Sequence, residues 1–244
     1  MTPASATSSP RWDTPRTLEG ADKERATLVF LVLSGLFVAS LMTCNLLFRK
    51  FFTWELGGIT FEQSIGLLPY PLTFLVTDVI SEVYGKRRAN QVVVTGLVAS
   101  LLTLFLVTVG SAVPAASWSP VTDGEFDHVF GQTALAVGAS MAAYLLAQAL
   151  DVQVFHFWKR VTEGRHLWLR NNLSTVPSQL VDTATVLALL CAVGEIPWER
   201  FGTLFLNGAL FKALVAALDT PLVYGAVGVL RRRFGLQPGQ EVAL

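Results

Sequence analysis

Six predominantly apolar stretches, at residues 26–48, 64–85, 90–113, 129–158, 173–193 and 203–230, constrain this chain more than any other feature. A bilayer core is crossed by about 20 mostly apolar residues in helix, and each stretch reaches that length. The expected fold is therefore an all-α integral membrane protein, with six transmembrane helices in one bundle spanning 26–230. Composition agrees: only 15% of the residues are charged and the mean hydropathy is +0.51, whereas about a quarter of a soluble domain is charged. Residues 1–25 are rich in Pro, Ser and Thr and read as a disordered cytoplasmic tail; 231–244 form a second tail. The first apolar run starts too late and runs too long for a cleavable signal peptide. Cys44 and Cys191 both fall inside apolar runs, so neither a disulfide framework nor a metal site is expected.

The basic residues orient the bundle. Arg11, Arg16, Lys23 and Arg25 precede the first run, Lys86, Arg87 and Arg88 follow the second, and Lys159, Arg160, Arg165 and Arg170 follow the fourth. Arg231, Arg232 and Arg233 follow the sixth. These fourteen face one side, against Arg49, Lys50 and Arg200 on the other. Positive charge collects on the cytoplasmic face, which predicts both termini there. Net charge is zero and the basic residues sit in short loops, which argues against a nucleic-acid partner. On the opposite side, 52–63 reads as a short hairpin or interfacial cap. The stretch 117–128 is acidic with turn signals at Ser119-Pro120 and Asp123-Gly124.

Five carboxylates and one ammonium lie within the apolar runs: Asp78, Glu82, Asp151, Asp182, Asp219 and Lys212. A charge at mid-bilayer costs roughly 2.5–3.5 kcal/mol even on the mild insertion scale, so such residues face a bundle interior or a wet cavity. Their spacing is helical. Asp78 and Glu82 are one turn apart, as are Gln148 and Asp151. Asn172, Thr175, Gln179 and Asp182 form a stripe, and Lys212 and Asp219 lie two turns apart. Four polar stripes pack economically around one cavity. Each also has a structural reading. Asp78 and Glu82 would pair with the 86–88 basic run, and Asp151 with Lys159 or Arg170. Asn172 and Thr175 would cap a helix, and Lys212 and Asp219 would be a buried pair.

No P-loop, intramembrane Ser/His pair, zinc motif or Arg ladder is present. An enzyme is thus not expected, nor any cofactor; capture or passage of a small polar solute is favoured. Carboxylates accept paired N–H donors, and Asn and Gln offer a donor with an acceptor. That set suits a purine-like heterocycle with an amidine edge, stacked on Phe74, Tyr144 or Phe155. A sugar or an amino acid fits the same chemistry nearly as well.

The stretch PLTFLVTDVISEVYGKRRA (71–89) resembles the motif of the queuosine precursor transporter (VUT) family, through Pro71, Phe74, Asp78, Glu82, Tyr84 and Gly85. AQALDVQVF (147–155), WLRNNLSTVPSQLVDT (168–183), FKALVAALDTPLVYG (211–225) and the early Asn45 are similar to further pieces of it. The resemblance covers roughly 27–230. It implies a six-helix, multi-pass protein of the cell (inner) membrane that imports queuosine precursors for tRNA modification, chiefly 7-cyano-7-deazaguanine (preQ0) with its aminomethyl relative (preQ1) second. It also implies that Asn45, Asp78, Glu82, Gln148, Asp151, Asn172, Gln179, Asp182, Lys212 and Asp219 line the cavity. Asp182 or Asp78 would take the amidine edge, Gln179 or Gln148 would read the carbonyl and ring nitrogen, and Lys212 would neutralise Asp219. The carrier would be a facilitator or a proton symporter. Competing readings are a capture subunit of an ATP-driven vitamin or nucleobase uptake complex, and an Mg²⁺-dependent enzyme using Asp78 and Glu82. Small residues at Gly35 and Ala39, and at Ala209, Ala213 and Ala217, suit intrachain packing, a partner or a homodimer.

Overall fold

A computed structural model describes residues 14–47, 50–56, 59–131, 134–194 and 196–244. Its main helices are α1 (Gly20–Leu47), α2 (Tyr70–Val83), α3 (Gly85–Ala112), α5 (Ala134–Val161), α6 (Leu167–Ala192) and α7 (Phe201–Phe234). A four-residue helix, α4 (Asp123–Phe126), sits in the α3–α5 connection. Thr122 caps it: its backbone N–H and its hydroxyl both donate to Glu125 Oε2 at 2.8 Å, which holds the Glu125 carboxyl below the usual carboxylate range.

The apolar side chains point outward and the polar ones inward. Phe105 on α3 is 62% exposed and Leu218 on α7 is 70% exposed, while Asp151, Glu82 and Arg170 are fully buried. In water that distribution would be inverted; lipid is the solvent that accepts it. Among the described residues four helical segments are long and apolar enough to cross a membrane: Gly20–Leu47, Gly85–Ala112, Leu167–Ala192 and Trp198–Phe234.

The 64–85 run folds differently from the single helix expected of it. It begins at the end of a β-hairpin, β2 (Phe51–Leu56) with β3 (Ile59–Ser64), whose antiparallel register pairs Trp54 with Phe61. A 3₁₀ turn at Ile65–Leu67 follows, and then α2. The 14 residues of α2 rise about 21 Å at 1.5 Å each, short of a bilayer core of about 30 Å. This helix is buried on almost every side by α1, α3, α5 and α7. It ends without a loop: Tyr84 caps α2 and Gly85, at φ +82°, opens α3. A side chain at 85 would collide with the Glu241 carboxylate. Close helix approach also depends on Gly96, where a Cβ would meet Phe37 Cε1 of α1 at 2.7 Å.

The segment from residue 14 and the C-terminal residues meet beside the α2–α3 junction. Residues 1–13 of the expected N-terminal tail lie outside the described residues. The rest of it supplies β1 (Arg16–Thr17), paired in parallel with β4 (Val242–Ala243), and the first turns of α1. Arg88 Nη2 donates to the Leu244 carbonyl at 2.7 Å, and Arg16 Nη1 donates to the Gly235 carbonyl.

Candidate functional site

Matched polar stripes on three helices build the site. α2 presents Tyr70, Phe74, Asp78 and Glu82 at four-residue intervals, and α6 presents Arg170, Ser174, Ser178 and Asp182 at the same interval. α5 adds Tyr144, Gln148, Asp151, Phe155 and Lys159. Tyr70 bonds Asp182, Asp78 bonds Thr175 and Glu82 bonds Arg170, so α2 and α6 run antiparallel along the seam. From Tyr70 to Glu82 it climbs about 18 Å, in three layers.

The first layer is a cavity of about 220 Å³ toward the hairpin end, away from both termini. Asn45, Tyr70, Tyr144, Asp182 and Lys212 line it, with apolar walls from α6 and α7. Lys212 Nζ lies 2.6 Å from Asp182 Oδ2 and 4.3 Å from the centre of the Tyr70 ring. Tyr70 donates its hydroxyl to the same Oδ2 at 2.7 Å. Asp182 Oδ1 and Asn45 Nδ2 are buried and have no hydrogen-bond partner among the described residues. Buried polar atoms are rarely left so, and here one acceptor and one donor are present at the same cavity. Ligand pockets of drug size run about 300–1,000 Å³; this one suits a smaller solute.

A second layer lies beneath, wholly buried. It holds the carboxyls of Asp78 and Asp151, each with one oxygen, Oδ1 and Oδ2 respectively, that has no hydrogen-bond partner among the described residues. Thr175 Oγ1 donates to Asp78 Oδ2 at 3.3 Å and Ser178 Oγ to Asp151 Oδ1 at 3.1 Å. Gln148 bridges upward: its Nε2 donates to Thr77 Oγ1 at 2.5 Å and its Oε1 accepts from the Tyr144 hydroxyl at 3.2 Å.

The third layer is an ion cluster at the end where the termini meet. Glu82 Oε2 sits 2.8 Å from Arg170 Nη1 and 3.8 Å from Lys159 Nζ, and Oε1 also takes Arg231 Nη2. Lys159 continues to Glu241 at 2.9 Å, and Arg170 stacks over the Phe155 ring at 5.5 Å. A separate cavity of about 200 Å³ opens beside it, lined by Lys86, His156, Lys159, Arg160 and Glu241, and neither Glu82 nor Arg170 reaches it.

Several expectations need redrawing. Glu82 pairs with Arg170 and Arg231, not with the 86–88 run, and it belongs to the closed end instead of the cavity. Arg170, counted above as a loop charge, is a fully buried residue of α6. Asp151 does not pair with Lys159 or Arg170, since Glu82 occupies both. Lys212 pairs with Asp182, not with Asp219, and Asp219 forms no ion pair among the described residues. Asn172 is half-buried and donates to Trp168 O and Thr220 Oγ1, away from the cavity. Phe74 stands behind Tyr70 and Tyr144 at 5.1 and 6.1 Å between ring centres, and Phe155 lies in the ion cluster. Gln179 is buried one turn from Asp182, its Oε1 without a partner among the described residues. Tyr70, Ser178 and Arg170 are not among the expected site residues; Tyr70 lies two turns before Asp78 and Ser178 one turn before Asp182, while Arg170 lies beyond the expected start of its helix.

A family model described as "Putative vitamin uptake transporter" matches residues 64–226. That segment carries all three polar stripes. A relative named "Probable queuosine precursor transporter" from Bacillus subtilis (strain 168) is 32% identical over 175 residues, 71% of this chain and 75% of the relative. The chain belongs to this family, the VUT family of queuosine precursor transporters. The transporter also resembles "Queuosine precursor transporter" of Escherichia coli (strain K12), 29% identical over 68% of this chain and 73% of the relative. A Haemophilus influenzae protein (strain ATCC 51907 / DSM 11121 / KW20 / Rd), "Probable queuosine precursor transporter", is 25% identical over 70% of this chain and 71% of its own. No solved structure matches the chain. The family is one of transporters, not enzymes.

Proposed function

We propose that the transporter imports 7-deazaguanine precursors of queuosine, chiefly 7-cyano-7-deazaguanine, into the cytoplasm for tRNA modification. The observation that carries this reading is the cavity at Asp182. It is sized for one base, walled by two tyrosine rings, and supplied with an unpaired carboxylate oxygen and an unpaired amide N–H donor. Asp182 Oδ1 accepts an N–H of the amidine edge, Asn45 donates to a ring acceptor, and Tyr70 or Tyr144 provides the stacking face.

Six runs cross the membrane in this reading, with the α2 run completed by its 3₁₀ turn and hairpin, and both termini are cytoplasmic. The basic residues of 86–88, 160, 165 and 231–233 support that orientation. It makes the cavity face outward, while the Glu82 cluster closes the inner end. Inward release requires that cluster to part, so alternating access amounts to exchanging the closed layer for the open one.

The Asp78–Asp151 pair, between the two, is the proton site. Two carboxylates buried in the same dry layer share a proton in this reading, and a solute moving past them is coupled to its release. Asp151→Asn is expected to leave saturable uptake that no longer responds to an inward proton gradient, as read in proteoliposomes with and without the gradient. Undiminished gradient dependence in that variant would remove Asp151 from the coupling path. The ATP-driven alternative differs on one point: uptake would need a second protein and ATP.

A further inference from the structure

Lys212 is already where a cationic ligand would go. Among the described residues lining the cavity, Asp182 is the lone carboxylate and Lys212 the lone cation. Lys212 Nζ holds Asp182 Oδ2 at 2.6 Å and lies 4.3 Å from the centre of the Tyr70 ring. Those are the two groups in the cavity that attract positive charge, one by Coulomb attraction and one through the π face. The Lys212 side chain is 8% exposed and that of Asp182 5%, so water screens neither well. The rest of the described lining is uncharged, with Asn45, Ser64, Tyr144 and Thr183 as its polar members, and offers no second anion.

We propose that Lys212 is a built-in counter-ion that makes the cavity select neutral bases and reject cationic ones. Resting on the reading above, this means preference for the 7-cyano base over its 7-aminomethyl relative. The two share the guanine-like edge and differ in the substituent. The nitrile is neutral and accepts a hydrogen bond. The aminomethyl group is a primary alkylamine, protonated at neutral pH. Entering the cavity, the amine meets a fixed ammonium of like charge and finds the one carboxylate already neutralised. Like charges at close range in a desolvated site are discriminated against strongly. A nitrile meets no such penalty and can accept a hydrogen bond from the ammonium.

The test measures competition of each unlabelled base against uptake of labelled 7-cyano-7-deazaguanine in proteoliposomes. In the wild type the aminomethyl base is expected to inhibit about tenfold more weakly than the cyano base, or worse. Lys212→Met frees Asp182 as an unpaired anion, so the ratio should move by about tenfold or more toward the amine. Lys212→Arg, which keeps the charge, should leave the preference with the nitrile. Equal inhibition by the two bases in the wild type would overturn the inference, as would an unchanged ratio in Lys212→Met. If the Met variant does not fold, Lys212→Gln and the wild-type ratio decide on the same terms. Absence of saturable wild-type uptake would overturn the deazaguanine reading itself, and the inference with it.

Discussion

Replacing Asp182 by Asn is expected to cut uptake by about a hundredfold or more, because hydrogen bonds to a charged acceptor contribute roughly 1.5–3 kcal/mol each and this carboxylate serves two roles. In the proposed reading it offers Oδ1 to the solute, and it holds Lys212 and Tyr70 in place through Oδ2. The amide loses the charge that anchors Lys212, and an ammonium left without its partner in a buried site costs about 3–5 kcal/mol. Two variants separate recognition from stability. Asp182→Asn combined with Lys212→Met removes the orphaned charge, so folding should recover while uptake does not. Asp182→Glu keeps the charge on a longer stem and should retain part of the activity. Uptake at the wild-type rate by Asp182→Asn, per molecule of reconstituted protein, would take Asp182 out of the site.

At the other end of the seam the expected effect is on stability. Glu82→Gln strips the shared anion from Arg170, Lys159 and Arg231. Arg170 is fully buried, and breaking a buried pair from one side costs about 3–5 kcal/mol. The midpoint of thermal unfolding in detergent should fall accordingly, with a lower yield of folded protein. Replacing both partners, Glu82→Gln with Arg170→Gln, leaves no unpaired charge between them and should recover much of the loss. Because Glu82 lies at the closed end, binding of the cyano base by the double variant should persist. A Glu82→Gln protein as stable as the wild type would mean the cluster does not hold the inner end together.

The legibility of the sequence follows from which physical signals are local. Apolar runs and basic loops are read along the chain, and α1, α3, α6 and α7 stand close to their expected places. The hairpin at 51–64 was legible from its alternating aromatic and acidic residues. The early start of α6 was not, since Arg170 reads as an interfacial charge until Glu82 is seen to bury it. The shortness of α2 is likewise tertiary: only the packing of four helices around it shows that 64–85 is not one helix. Stripe spacing found Asp78, Asp151, Thr175 and Asp182, because one face of a helix is fixed by a period of about 3.6 residues. Pairing across helices is set by register, which spacing within one helix does not contain. That is why Lys212 was paired with Asp219 on its own helix and not with Asp182 on the next. Tyr70 was missed for a related reason. It sits at the first residue of α2, beyond Pro71, where a sequence reading ends the stripe too soon.

Uptake of labelled 7-cyano-7-deazaguanine into proteoliposomes holding only this protein tests the central claim most directly. Saturable uptake is expected, blocked by the unlabelled base and raised by an inward proton gradient, with no ATP and no second protein. Correctly folded protein that gives no uptake above empty vesicles would contradict it.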